Sequence, residues 1–150
     1  MRIKLGRHVP SVAVAVALIA TTGVALAARP IRGATYSGTI KRAHAGVADA
    51  ISFKVSANGK KVSGFTLPNG YPAYCEGGGF GEAQSASGKV TSKGTFTVKL
   101  PIYFAPAHQH QGFVIVTGSF GKHGKESGKV KTDFTKATTC NGTSSYSTTG

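Results

Sequence analysis

Residues 51–67 read ISFKVSANGKKVSGFTL, and two features of this stretch decide the fold class. Ile51, Phe53 and Val55 alternate with Ser52, Lys54 and Ser56. Successive side chains of a strand point to opposite faces, so this spacing puts apolar groups on one face and wet groups on the other. Asn58-Gly59 follows, a pair that tolerates the positive φ of a tight hairpin turn. The chain then returns through Lys61 to Leu67. Val62 and Phe65 fall on opposite parities, and a bulge at Ser63-Gly64 restores both to one face.

The same alternation recurs to the C-terminal side. Phe96, Val98 and Leu100 alternate with Thr95, Thr97 and Lys99, and Val130, Thr132 and Phe134 with Lys129, Lys131 and Asp133. Phe113–Val116, FVIV, is apolar at both parities, as expected of a central strand or one covered on both sides. Further turn signals are Pro68-Asn69-Gly70, Lys93-Gly94 and the GKHG of residues 121–124. Together these predict strands near 34–40, 50–56, 61–67, 73–76, 83–91, 94–104, 113–120, 127–135 and 139–148. The expected fold is all-β: a single antiparallel β-sandwich or β-barrel of about eight to nine strands.

The N-terminus is of another kind. Arg2, Lys4 and Arg7 precede the apolar run Val12–Ala20, and Ala25-Leu26-Ala27 has the small-x-small pattern of a signal-peptidase site. The run falls short of the roughly 20 residues that span a bilayer. Residues 1–28 are therefore expected to be a signal peptide, with a mature start at Ala28 or Arg29. Residues 29–150 are expected to be one secreted β domain with an ordered core at about 34–148, without stable membrane insertion after cleavage and monomeric.

The chain carries 18 Lys+Arg and 5 Asp+Glu, a net charge of +13. The leader accounts for three cations and no carboxylate, which leaves 15 cations against 5 carboxylates, a net of +10. Lys54, Lys99, Lys129 and Lys131 fall at wet positions of the alternating strands. They are the candidate contacts for an extracellular polyanion or cell-wall polymer. The same lysines also serve solubility and keep strand edges from pairing. Export, and the lack of an aromatic base-stacking motif, set nucleic acid aside.

Cys75 and Cys140 are the only cysteines. In an oxidising compartment such a pair is expected to form a disulfide, which would constrain the unfolded chain across a long loop. Several short pieces also make the chain similar to a loose group of small secreted bacterial all-β proteins of unassigned function with one disulfide. These are Tyr36-Ser37-Gly38, residues 51–67, the lone Cys75, GTFTV at 94–98, TGSFG at 117–121, ESGKVKTDF at 126–134 and Cys140-Asn141-Gly142, with Tyr146 as the aromatic that follows the second cysteine. The resemblance implies one β domain bridged by Cys75–Cys140. It assigns no catalytic residue.

Candidate chemistry is sparse. His108 and His110, in HQHQ at 108–111, project to one side of an extended chain and could share a metal ion. A third ligand would have to be His44 or His123, which the sequence does not place nearby. The carboxylates are Asp49, Glu76, Glu82, Glu126 and Asp133. Glu76 and Glu82 bracket GGGFG and would be the acids of a small secreted glycan-directed hydrolase, the alternative reading. Neither a G-x-S-x-G elbow nor a phosphate-binding P-loop occurs. Tyr71, Tyr74, Tyr103 and Phe104 are aromatics suited to sugar stacking or to rim packing. No cofactor is expected. The function read from the sequence is a non-catalytic binding or cell-surface-associated domain.

Overall fold

The computed structural model describes residues 28–41, 49–67, 82–83, 85–104, 109–135 and 141–150. The leader, the expected strand at 73–76 and the residues Cys75, Cys140, His44, His108, Tyr71, Tyr74 and Glu76 lie outside them. Within them the chain is all-β, with no helix.

The described residues form nine strands: β1 (Thr35–Ile40), β2 (Asp49–Val55), β3 (Lys61–Thr66), β4 (Glu82–Ala83), β5 (Ser87–Lys89), β6 (Thr95–Phe104), β7 (Gln109–Phe120), β8 (Lys125–Phe134) and β9 (Gly142–Thr149). They make one antiparallel sheet in the order β4-β6-β7-β8-β9-β1-β2-β3-β5. β4 and β5 are consecutive short pieces on opposite edges, β4 bonded to β6 and β5 to β3. A Cβ at Gly88 of β5 would stand 2.6 Å from the Thr97 carbonyl oxygen of β6. The two edges therefore meet, and the sheet is nearly closed into a barrel of eight staves, β4 and β5 sharing one. Of the two expected architectures, the barrel is the one formed.

Alternation explains the filling. Tyr36 and Ile40, then Ile51, Phe53 and Val55, then Phe96, Val98, Leu100 and Ile102, then Val114, Val116 and Phe120 all point inward and are buried. Phe53 lies at the centre of the aromatic packing. Its ring stacks on Tyr36 at 5.3 Å and on Phe65 at 5.1 Å, and meets Phe96 at 5.4 Å. The outward residues of the same strands are mostly Ser, Thr and Lys. The exception is β7, where Phe113 and Ile115 face out half-buried. The apolar run at 113–116 thus belongs to a strand flanked on both sides by β6 and β8.

The expected bulge is present. Pairing passes from Ser52↔Thr66 to Lys54↔Ser63, an extra residue on β3, and Gly64 takes φ 64°. That shift turns Phe65 toward the core. The 56–61 turn differs from expectation in one respect. Gly59 has φ 72°, whereas Asn58 does not enter the left-handed region. Asn58 acts through its side chain: Oδ1 accepts from the Lys60 amide at 3.0 Å and from the Ser56 hydroxyl at 2.7 Å. Asn58→Ala is expected to cost about 1 kcal/mol, the worth of those two exposed bonds together. Urea unfolding would show this as a lower midpoint at unchanged slope.

The barrel ends differ. At one end lie the turns 56–60, 91–94 and 121–124, with the C-terminus, and residues 28–34 form a strap over it. The strap is pinned by bonds from the Ile31 amide to the Tyr36 hydroxyl at 3.0 Å and from the Gly33 amide to the Ser56 carbonyl at 3.2 Å. The links β1–β2, β3–β4, β6–β7 and β8–β9 all leave the other end, because consecutive strands run antiparallel.

Candidate anion-binding groove

The strap end carries a concentration of charge. Arg29 and Arg32 come from the strap, Lys60 from the 56–60 turn and Lys61 from the first position of β3, and Lys89 from β5. All five are exposed, and all five line one cavity of about 870 Å3. Asn58, Gly59, Gly88 and Gly94 also line it, and among the described residues no carboxylate does. Local structure positions the segments that carry the cations. The Arg32 stem lies over Gly59, where an added Cβ would come within 3.3 Å of its Cγ. The Val90 amide donates to the Lys60 carbonyl at 2.9 Å, holding the end of β5 against the turn. Lys61 and Lys89 are direct register partners across β3 and β5. Like charges directly opposite one another destabilise a sheet. A bound anion would turn that repulsion into attraction.

The lysines singled out in the sequence do not form one patch. Lys99, Lys129 and Lys131 share the outer wall of β6–β8, Lys99 and Lys131 flanking Ile115 in one cross-strand row. Lys99 Nζ stands 5.8 Å from the centre of the Phe113 ring. Lys131 is 3.5 Å from Asp133, a half-exposed ion pair that partly neutralises it. Lys54 stands on β2, separated from these three by β9 and β1.

His110 is exposed at the start of β7, its ring 5.5 Å from Tyr103 and 4.8 Å from Phe113. It thus belongs to an aromatic group on the outer wall. Among the described residues no cluster of three metal-ligating side chains occurs. His123 sits in the 121–124 turn with φ 58°.

Glu126 is a carboxylate to which the sequence reading gave no role. It points into the barrel and is 2 % exposed. Oε1 accepts from the Tyr146 hydroxyl at 2.7 Å and Oε2 from the Thr148 hydroxyl at 2.6 Å. Burial raises its pKa, and the two hydroxyl donors pull it part of the way back. Tyr146 is also raised, first by burial and then by the neighbouring Glu126 charge. Gly118 leaves the space this carboxyl needs: a Cβ there would run into Glu126 Oε1 and the Phe96 ring. The parity of Val130, Thr132 and Phe134, extended back along β8, was the signal that Glu126 faces inward.

Comparison with known protein families, with curated proteins and with solved structures finds no match.

Proposed function

We propose that the mature chain is a non-catalytic, exported binding domain that holds an extracellular polyanion at the groove of Arg29, Arg32, Lys60, Lys61 and Lys89. The observation that carries this reading is the convergence of five exposed cations from three chain segments on one cavity that no carboxylate lines among the described residues. Such a site concentrates positive potential, and it suits the repeated charges of a wall polymer or an acidic polysaccharide. Export is supported by the pattern of Arg2, Lys4 and Arg7, the apolar run and Ala25-Leu26-Ala27. A Cys75–Cys140 bridge fits the same compartment. The lysines of the outer wall supply a diffuse background of charge.

Retention on a polyanion column over a salt series tests the reading. The parent should bind at low salt and be released as salt rises, because exposed charges are screened over about 8 Å at physiological ionic strength. The Arg32→Glu/Lys61→Glu variant should bind weaker by on the order of tenfold, from several contributions of a few tenths of a kcal/mol to 1 kcal/mol each. Lys129→Glu/Lys131→Glu should bind within about threefold of the parent, being outside the groove. A larger loss in the second variant than in the first would move the site to the outer wall. A parent that is not retained at low salt would end the binding reading.

A further inference from the structure

The groove and the expected peptidase junction occupy the same corner of the barrel. Arg29 lines the groove, and so does Gly94. Ala28, half-buried, packs against Gly94, its carbonyl oxygen lying where a Cβ on Gly94 would have to go. Gly94 is itself fixed, its amide donating to the Thr91 carbonyl at 3.0 Å and its carbonyl accepting from Phe120 at 2.9 Å. The first residue of the strap is therefore held at the rim of the groove. In the precursor the nitrogen of Ala28 is a neutral amide. Hydrolysis of the Ala27–Ala28 bond by an export peptidase consumes one water and leaves a carboxylate on the departing Ala27. It also leaves an α-amine on Ala28, which is mostly protonated at neutral pH. Cleavage one residue later places the same amine on Arg29.

We propose that leader removal completes the anion site, the new α-ammonium becoming the sixth cation of the groove, and that the precursor binds polyanions more weakly than the mature protein. The advantage is one of timing: the groove reaches full strength only after the chain has been exported, so anionic polymers met earlier compete less. The inference rests on the groove reading, and its ligand is a polymer bearing phosphate or carboxylate groups.

The test uses the exported mature protein, inorganic polyphosphate as the probe, and N-terminal transamination. That treatment turns the α-ammonium into an uncharged ketone and leaves lysines intact. Titration calorimetry at low salt should show a roughly two- to fivefold weaker Kd after treatment, the range for one surface charge contact. The same treatment of the Arg32→Glu/Lys61→Glu variant should produce a smaller change, because the amine and the groove cations then act on the same anion. Equal Kd before and after treatment in the parent overturns the inference and leaves the groove standing. Loss of equal size in both proteins also overturns it, since the amine would then act outside the groove. An exported N-terminus beyond Arg29 overturns it as well. Absence of binding by the untreated parent removes the groove reading itself.

Discussion

Phe53→Ala is expected to lower stability by about 3–5 kcal/mol, the range for deleting a large buried aromatic. Phe53 is 1 % exposed, and its ring touches Tyr36, Phe65, Phe96 and Phe120, which come from four different strands. The rings around the gap are held by their own strands, so collapse into the cavity is limited and the cavity cost remains. Urea unfolding of the two proteins would measure the difference. Phe113→Ala is the control. Phe113 is half-buried on the outer wall and its removal should cost well under half as much. A Phe53→Ala effect no larger than that of Phe113→Ala would mean that the aromatic packing inside the barrel does not hold the staves together.

Glu126 gives the second large effect, and it depends on pH. Glu126→Ala strands the Tyr146 and Thr148 hydroxyls in the interior and leaves a cavity, a cost of about 2–4 kcal/mol. Glu126→Gln keeps the volume and removes the charge. In the parent, burial raises the folded-state pKa above the unbound value of 4.5. A folded state that holds its proton more tightly than the unfolded chain gains from low pH. That gain is full below about 4.5 and is lost as pH rises through the raised folded value. Melting temperatures of parent and Glu126→Gln across pH 3 to 8 should therefore diverge, the Gln variant improving relative to the parent as pH rises. Parallel curves would show that the buried carboxyl titrates in the folded protein as it does in the unfolded chain.

Local pattern carried most of the fold. The alternation at Ile51, Phe53 and Val55 marked an inner face, and the parity break between Val62 and Phe65 located the bulge that Gly64 makes. Closure was not legible, because a sandwich and a barrel share the same alternation and the same turns. What separates them is the pairing of β1 with β9 and the meeting of β5 with β6, contacts that no window of sequence contains. The groove was hidden for the same reason. Arg29, Arg32, Lys60, Lys61 and Lys89 lie in three separate segments of the sequence, and only the strap and the ring bring them together. For the outer lysines, parity gave the face correctly but not the position around the ring. Lys54 and Lys129 therefore read alike, although two strands separate β2 from β8.

The strand order also sets the sequence of events during refolding. With β4 and β5 counted as the one stave they share, every neighbouring pair of staves around the ring is consecutive in the chain except β1 and β9, whose register joins Ile40 to Tyr146. The other staves can pair one after another with chain neighbours, but this last pairing must close nearly the whole domain, and long closures are slow. Until β9 docks, β1 and β8 both present unpaired backbone to solvent. Two chains caught at that stage can pair edge to edge. Refolding yield should therefore fall with protein concentration even though the finished barrel offers almost no free edge.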